Sequence, residues 1–337
     1  IAGSGRHVRR EFTESLRCPH CGGGGWQVVV ESEDGKEVRE GHLRCRCGAD
    51  FPIHAGVVDF LDPADEQLRR EVAGWIEMAG PLPDHLVTQM TALPYYPHDH
   101  WLEVAPDFFQ IFDHFSFEGK RVIDLGAGRT WSSRHLATVG RAAEVVAVDV
   151  LTTKYLGLET ADIFFHDDGI FFERIRADLH RTPIRDAWAD VVFSCASLHH
   201  SSDLGRLYAE ADRVLKPGGH LLFLSEPSKK ASIEETQPQN EETAHGINEH
   251  IYSFAEWLEP LRARGFRCRR LVPRSIRHQL VYPRPTFQET VPPVLLPLTR
   301  SERGLGVLER LLESSWAGPL LYRYWSLPLT VIARKPG

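Results

Sequence analysis

The chain has 337 residues, of which 42% are hydrophobic and 25% charged, and its net charge at pH 7 is -7. This composition is typical of a soluble globular protein, and the acidic balance argues against broad binding of nucleic acid. The length allows two domains or one enlarged domain. Because no apolar run reaches the ~18 residues of a transmembrane helix, we expect no membrane span and a cytoplasmic location.

Four of the six cysteines stand in two close pairs near the N-terminus, Cys18 with Cys21 and Cys45 with Cys47. In a cytoplasmic chain, paired cysteines indicate a metal or redox site rather than structural disulfides. The stretch between the pairs reads as strand, turn and strand. Two pairs on separate turns can supply four thiolates to a tetrahedral zinc ion, which leaves no open position for catalysis. We therefore predict a structural zinc ribbon over residues 14–62.

The second cysteine pair has the tight C-x-C spacing, so a histidine is an alternative fourth ligand. The candidates are His20, His42 and His54. A redox role for the first pair is the weaker alternative, because no thioredoxin-like βαβ pattern surrounds it. The motifs LRCPHC and HLRCRCGADFPIHAGVVDFL resemble the small zinc-ribbon domain that activates several tRNA and release-factor methyltransferases. In that family the ribbon is a partner of methyltransferases.

Residues 63–118 are predicted to form a helical linker and cap. DPADEQLRREVAGWIEMAG has apolar residues at helical spacing, and PLPDH ends the pattern. The next stretch, ALPYYPHDHWLEVAPDFFQIFDHF, is rich in aromatic residues. These helices either pack on the following domain or form a lid over a ligand, with Tyr96 and Trp101 as candidate substrate-binding residues.

The stretch RVIDLGAGRTWSSRHL reads as a strand, a glycine turn and a helix. Trp131 stands where a dinucleotide fingerprint has its third glycine, and no P-loop Gly-Lys-Ser/Thr follows. Asp124, inside the strand, would repel a pyrophosphate and suits a positively charged ligand. The next strand, EVVAVDV, ends at Asp149, where a carboxylate can accept hydrogen bonds from ribose hydroxyls.

Further strands and helices alternate after Asp149. RIRAD ends at Asp178, ADVVFSCAS ends near Ser197, and LGRLYAEADRVLKPGGHLLFLSEP reads as helix, turn and strand. This alternation predicts an α/β fold with an open, doubly wound sheet. Ligands of such sheets bind outside the carboxyl ends of the strands, so we expect the acidic residues and the stretch 194–200 at that edge.

Together, these motifs make residues 120–227 similar to the class I S-adenosylmethionine-dependent methyltransferases, in the subgroup that resembles ubiquinone and menaquinone biosynthesis enzymes. The motifs that carry the resemblance are VIDLGAG, VVAVDV, ADLHRTPIRDAWADVV and LHH followed by EADRVLKPGGHLLF. The resemblance implies a Rossmann-like, seven-stranded doubly wound sheet within residues 119–337. It also implies S-adenosyl-L-methionine as cofactor and methyl transfer as reaction.

The same resemblance implies roles for individual residues. Gly126 and Gly128 would let the backbone approach the methionine part of the cofactor, and Asp124 would lie near its amino group. Asp149 would bind the ribose, and Asp178 the adenine. The full set of expected cofactor-binding residues is Asp124, Gly126, Ala127, Gly128, Asp149, Val150, Asp178, Leu179 and Ser194.

Methyl transfer from a sulfonium needs an in-line approach, dry surroundings and often a base. His199 and His200, after the fourth strand of the domain, and His250 are the candidate catalytic bases, since histidine titrates near neutrality. A structural role in the strand-four turn is the alternative for the LHH pair. Glu226 and Tyr252 are candidate residues of the acceptor pocket.

An insertion at about 274–326 separates the last two predicted strands, RCRRLVP and LTVIARKP. It contains many prolines and the apolar pieces PPVLLPL and GPLLYRYW. These pieces are interpreted as core, as an oligomer contact, for which a homodimer is one option, or as a wall for an apolar acceptor. The basic run RARGFRCRR would be scattered by strand alternation, so we do not expect a nucleic-acid site there.

Three functions are carried forward. The first is S-adenosylmethionine-dependent O-, N- or C-methylation of a small molecule in natural-product or cofactor biosynthesis. The second is a tRNA- or protein-modifying methyltransferase with a fused ribbon activator. Against it, SCASLHH follows strand four where such enzymes carry Asn-Pro-Pro-Tyr or Asp-Pro-Pro-Tyr. The third is a protein that binds the same cofactor and transfers a different group.

Overall fold

A computed structural model describes residues 12–34, 37–83, 86–96, 99–276 and 291–337. The predicted insertion is therefore described only in part, because 277–290 lie outside the described residues. The strands are β1 Trp26–Glu33, β2 Val38–Cys45, β3 Asp50–His54, β4 Val57–Asp59, β5 Arg121–Leu125, β6 Glu144–Asp149, β7 Glu173–Arg176, β8 Ala189–Cys195, β9 Leu215–Glu226, β10 Ser228–Lys229, β11 Tyr252–Ser253, β12 Arg267–Leu271 and β13 Leu329–Arg334. The helices are α1 Glu66–Ala79, α2 Val87–Ala92, α3 Asp99–His114, α4 Trp131–Thr138, α5 Ala161–Asp167, α6 Leu204–Val214, α7 Glu241–Ala244, α8 Phe254–Ala263, α9 Glu302–Glu313 and α10 Ala317–Tyr324.

One mixed sheet organises the molecule, in the order β1-β2-β3-β4-β7-β6-β5-β8-β9-β13-β12. The part from β7 to β12 has parallel strands β7, β6, β5, β8 and β9, followed by β13 and β12 in antiparallel pairing. The α/β class and the Rossmann-like order are as predicted. The predicted count of seven strands is wrong for the sheet as a whole, which has eleven, because the four N-terminal strands continue it.

The sheet is covered on both faces, as its central strands already suggest. The interior of β5 and β6 is mostly apolar, with Val122, Ile123 and the run 145–148, which is typical of parallel strands buried on both sides. Ile123 and Val146 contribute to one core cluster, whereas Val122 and Val145 contribute to the other. This alternation follows from the two-residue period of a strand. Phe108 and Ile111 of α3 are fully buried in the second cluster, so this cap helix packs on the domain.

The N-terminal strands join the rest of the sheet through a short parallel pair, in which Val58 lies opposite Ile175 and Asp59 opposite Arg176. A buried ion network lies beside this junction. Arg174, on β7, is fully buried and donates from Nη2 to Glu37 Oε1 at 2.5 Å and from Nη1 to Asp162 Oδ1 at 2.8 Å.

A second arginine and a glycine complete the junction. Arg39 donates to the same two carboxylates, at 2.6 Å to Glu37 and 2.7 Å to Asp162. Gly56 has φ +80°, and a Cβ there would lie 2.2 Å from Arg174 Nη2. The network therefore needs glycine at residue 56.

None of the helices among the described residues is long and apolar enough to cross a membrane.

Candidate functional site

A cavity of about 530 Å³ opens at the carboxyl ends of β5, β6 and β8. This is the edge at which open α/β sheets bind their ligands. The sequence-predicted residues that line it are Trp101, Gly126, Ala127, Gly128, Asp149, Val150, Leu179 and His200. The structure thus brings together one candidate substrate-binding residue, one candidate base and most of the expected cofactor-binding set.

The glycine turn after β5 forms one wall of the cavity. Gly126 and Gly128 have φ of +72° and +47°, in the left-handed region that favours glycine. A Cβ on Gly126 would lie 1.8 Å from Ser197 Oγ, so residue 126 has no room for a side chain. Helix α4 follows directly, and its Trp131 lines the cavity with its ring edge-on to Trp101, at 5.5 Å between centroids.

Asp149 ends β6 and lines the same cavity. Its Oδ2 accepts from the backbone N–H of Gly128 at 2.7 Å, and its Oδ1 accepts from that of Leu151 at 2.8 Å. Burial raises the pKa of Asp149, although these N–H donors act in the opposite direction. Each carboxylate oxygen keeps a further acceptor position, which suits hydroxyl groups of a ligand.

Asp124 lies behind the turn and is not one of the lining residues. Its Oδ2 accepts from Ser132 Oγ at 2.6 Å and from Ser133 Oγ at 2.5 Å, at the start of α4. Its Oδ1 has no hydrogen-bond partner among the described residues. Complete burial raises the pKa of Asp124 to about 6. In this arrangement the carboxylate supports the N-terminus of α4, where a negative charge is favourable.

Several other predicted residues lie outside the cavity wall. Asp178 accepts from His180 Nδ1 at 2.7 Å, and this pairing lowers the pKa of Asp178 although burial acts to raise it. Ser194 is buried within β8 and does not line the cavity. Tyr96 Oη accepts from Gln89 Nε2 at 3.0 Å. The roles predicted for these residues stay predictions.

Helix α1 supplies the wall that sequence reasoning missed. Glu71, Trp75 and Met78 lie at helical spacing and all line the cavity. Glu71 is only 6% exposed, and burial raises its pKa to about 7, while it accepts from the backbone N–H of Asn248. A carboxylate within the apolar stripe of a helix is the signal that could have pointed to this residue.

Glu226 holds the turn that follows β8. It is fully buried, and its two carboxylate oxygens accept from the backbone N–H groups of Ser197, Leu198 and His199 at 3.0 to 3.2 Å. It also pairs with His199 Nδ1 at 2.7 Å. Burial acts to lower the pKa of His199, but the Glu226 charge outweighs it and raises that pKa.

Of the three predicted bases, only His200 lines the cavity. Its Nδ1 contacts the carbonyl oxygen of Asn248 at 2.5 Å, and burial lowers its pKa to about 3. His250 is not one of the lining residues. Its ring stacks on Tyr252, with 5.7 Å between ring centroids. Tyr252 Oη donates to the carbonyl of Ser201 at 2.5 Å, so its hydroxyl is engaged away from the cavity.

Arg129 is a second lining residue that the sequence analysis passed over. It follows Gly128 directly, and burial lowers the pKa of its guanidinium. Within the described part of the chain, this side chain forms no ion pair or hydrogen bond. A half-buried cation that faces a cavity without a counter-charge favours an anionic ligand group. A basic residue immediately after Gly-x-Gly was the available signal.

The four N-terminal cysteines converge on one point. Cys18 Sγ lies 3.8 Å from Cys47 Sγ, and Cys21 Sγ lies 3.7 Å from Cys45 Sγ. All four sulfur atoms lie within 4.8 Å of one another. A tetrahedral zinc ion with Zn–S bonds of ~2.3 Å places its sulfur ligands about 3.8 Å apart, so the cluster fits zinc. The alternative ligands His42 and His54 pair instead with Asp50 and Glu40.

Residues 123–223 match the family model described as "Methyltransferase domain". The chain is similar to 27-O-demethylrifamycin SV methyltransferase of Amycolatopsis mediterranei, with 32% identity over 50% of this chain and 60% of the relative. It is also similar to dimethylglycine N-methyltransferase of Parasynechococcus marenigrum, with 33% identity over 32% of this chain and 37% of the relative. The chain thus spans less than two thirds of the length of these curated relatives.

Among solved structures, the chain is similar to phosphoethanolamine N-methyltransferase 2 of Haemonchus contortus in complex with S-adenosyl-L-methionine. The TM-score is 0.49 and the identity 19%, and the likeness covers 86% of this chain and 62% of the other.

Proposed function

We propose that this chain, whose residues 123–223 match the methyltransferase-domain family model, transfers the methyl group of S-adenosyl-L-methionine to a small-molecule acceptor. The sulfonium of that cofactor supplies the methyl group when it is bound. The observation that carries the proposal is the cavity in which Asp149 and Arg129 stand beside the turn Gly126–Gly128.

The charges around the turn match the parts of the proposed cofactor. The Asp149 carboxylate would accept from the ribose hydroxyls, and the Arg129 guanidinium would bind the methionine carboxylate. Asp124 would favour the ammonium group through its charge, from behind the turn. Leu179, which lines the cavity next to Asp178, would lie against the adenine. In each of these contacts a protein group meets a cofactor group of opposite charge or complementary polarity. Without that cofactor group, burial of the charged protein group would cost free energy.

The opposite end of the cavity suits an apolar acceptor. Trp75, Met78, Trp101 and Trp131 give it aromatic and apolar walls, which exclude water from the reacting groups. A histidine whose pKa is lowered to about 3 is a weak proton acceptor at neutral pH. We therefore assign His200 to positioning at this end rather than to proton removal. The names of the two curated relatives also point to small-molecule acceptors.

We further propose one structural zinc ion in the N-terminal ribbon, held by Cys18, Cys21, Cys45 and Cys47. The sulfur spacing supports it, and four thiolates leave no open coordination position.

The ubiquinone-like subgroup and the cytoplasmic location stay predictions from the sequence.

The test is incubation with methyl-labelled S-adenosyl-L-methionine and a panel of phenols, amines and carboxylic acids, with bulk tRNA and protein in parallel. We expect one cofactor bound per chain by calorimetry and label in a small molecule. Asp149→Ala should lose binding, whereas Asp113→Ala, at an exposed aspartate on α3, should retain it. Label in tRNA or protein alone would contradict the small-molecule assignment. Transfer of a group other than methyl would contradict the reaction itself.

A further inference from the structure

We propose a second metal site, for a divalent transition cation, at the part of the cavity wall that His200 and Glu71 line. Its ligands are His199, His200 and Glu249, which leave one coordination position open, and Glu71 lies beside them. It is separate from the four-cysteine cluster and has nitrogen and oxygen donors in place of sulfur. The binding of the cation does not depend on the methyl transfer proposed above, but its chemical role does.

Three donor atoms from two parts of the fold converge on this point, one each from His199, His200 and Glu249, all within 4.8 Å of one another. Glu249 Oε2 lies 3.7 Å from His199 Nε2 and 3.8 Å from His200 Nδ1. Glu71 Oε1, from α1, lies 3.8 Å from the same His200 Nδ1. A tetrahedral zinc ion with N and O ligands at ~2.0–2.2 Å keeps its ligand atoms about 3.3–3.6 Å apart. The Glu249 distances are close to these values, and the His200 ring must turn away from the Asn248 carbonyl oxygen, 2.5 Å from its Nδ1, to complete the coordination.

The orientation of His199 is already fixed for this role. Its Nδ1 pairs with Glu226, which three backbone N–H groups hold in place. That pairing keeps a proton on Nδ1 and presents Nε2, the atom nearest Glu249, to the cation site. Metal-binding histidines almost always donate their second N–H to a carboxylate or carbonyl in this way.

The charge balance of the cluster also favours a cation. Glu71, Glu226 and Glu249 have side chains 8%, 0% and 13% exposed. Among the described residues, the ion pairs of these three carboxylates are with His199 and His200 only. Buried carboxylates without a lysine or arginine partner either take up protons or are compensated by a cation.

Binding requires a change of tautomer at His200. Without a cation, His200 Nδ1 donates to the carbonyl of Asn248. For Nδ1 to bind the cation, its proton moves through solvent to Nε2, so the imidazole stays neutral and its second nitrogen carries the N–H. Two imidazoles and one carboxylate suit zinc, iron(II), cobalt(II) or manganese(II) better than magnesium or calcium.

The position indicates what the cation would do. His200 and Glu71 line the cavity, so an acceptor hydroxyl could bind to the cation and lose its proton to solvent more readily. The acceptor oxygen then forms a bond to the methyl carbon. The carbon–sulfur bond breaks with its electron pair going to sulfur, which leaves S-adenosylhomocysteine. This assigns an oxygen acceptor to the proposed methyl transfer.

Cobalt(II) separates the two sites by their ligands. The full chain is stripped with a chelator, reloaded with cobalt(II) and measured by elemental analysis and visible absorption. We expect two cobalt ions per chain, one with intense sulfur-to-cobalt charge-transfer bands and one with weak d–d bands only. Glu249→Gln and His199→Ala should each remove the second cobalt ion together with its weak d–d bands. The charge-transfer bands of the four-cysteine site should stay unchanged.

His199→Ala could impair folding, because it leaves Glu226 without its histidine partner. Glu249→Gln is nearly isosteric and should preserve the fold, so it tests the site independently of folding. His245→Ala, at a half-exposed histidine just after α7, is the matched control and should keep both ions. One cobalt per chain in the wild type, or two in Glu249→Gln, would overturn the site and leave an ion-pair cluster only. Cofactor binding is measured in the same samples. Its absence would contradict the proposed function without changing the metal count.

Discussion

At the residue scale, the cavity combines charged groups that the sequence could locate with others that it could not. Asp149 and the glycine turn were predictable, because a strand period followed by Gly-x-Gly fixes them at the carboxyl edge of the sheet. Arg129 and Glu71 were not. The direction of the Arg129 side chain depends on the φ values of the turn, and Glu71 reaches the cavity only because α1 packs across it.

Arg129→Met should weaken binding of S-adenosyl-L-methionine by roughly 10–100-fold, because a charge-assisted hydrogen bond to the cofactor carboxylate contributes ~1.5–3 kcal/mol. Methionine preserves the length of the side chain and removes its charge. Isothermal calorimetry measures the change, with Arg303→Met, at an exposed position of α9, as the control. Unchanged affinity in Arg129→Met would remove this residue from the cofactor site.

Asp107 provides a pH test, because burial raises its pKa to about 7 from an ordinary value of 3.8. It is 1% exposed and accepts from the backbone N–H and Oγ of Ser275 at 2.8 and 2.6 Å. Between about pH 4 and pH 7 the folded state keeps a proton that the unfolded state has released. The contribution of Asp107 to stability is therefore full below pH 4 and is lost as the pH rises through 7.

Asp107→Asn should remove this dependence, since asparagine does not titrate and can keep both contacts, with its Oδ1 accepting from the Ser275 N–H and its NH₂ donating to Ser275 Oγ. The wild type should lose up to about 1.4 kcal/mol per pH unit relative to the variant across that window. Urea unfolding at pH 5, 6, 7 and 8 measures the difference. Parallel pH profiles of the two proteins would show that this carboxyl group is not responsible.

At the element scale, the ribbon strands do not stand apart from the α/β domain but extend its sheet through β4 and β7. The individual strands were readable from their cysteine turns and apolar alternation. The pairing of Val58 with Ile175 was not, because it joins segments distant in the chain and depends on the Arg174 network. No local pattern in the sequence encodes that register.

The junction can be tested with a double-mutant cycle on Glu37 and Arg174. Each single change, Glu37→Met or Arg174→Met, leaves a buried charge without one of its ion-pair partners. It should lower the free energy of unfolding by roughly 3–5 kcal/mol. The double variant should cost less than the sum of the two, because it removes both charges. Denaturant unfolding gives the three values. The exposed pair Arg274 and Asp113 should show little coupling, and strict additivity at the junction would contradict a shared network.

At the scale of the whole molecule, the two halves share a core. Phe51 and Phe60 of the ribbon belong to the same buried cluster as Val148 and Ile175 of the α/β domain. A ribbon that shares both sheet and core with its neighbour should unfold together with it. The sequence predicted the ribbon and the α/β domain but not the contacts between them. A change in composition marks a domain boundary and carries no information on which residues pack across it.

Removal of the zinc ion proposed for the ribbon should therefore lower the melting temperature of the entire chain and keep a single transition. A loss of several degrees is expected, since ~1 kcal/mol corresponds to about 2–4 °C in domains of 150–250 residues. Calorimetry with and without a strong chelator measures it. Cys18→Ser should behave like the chelated protein, whereas Cys268→Ser, outside the cysteine cluster, should keep its metal. Two separate transitions would show that the halves unfold independently.

The pairing of β4 with β7 also has a consequence for solubility. β7 is four residues long, Glu173–Arg176, and its outer side is covered only because the ribbon lies against it. Without residues 14–62 it would present a row of free N–H and C=O groups, which is a template for strand addition between molecules. Arg174 would also lose the Glu37 carboxylate. A chain shortened to begin at residue 63 should therefore scatter light increasingly with concentration, because its uncovered edge recruits the edges of other copies.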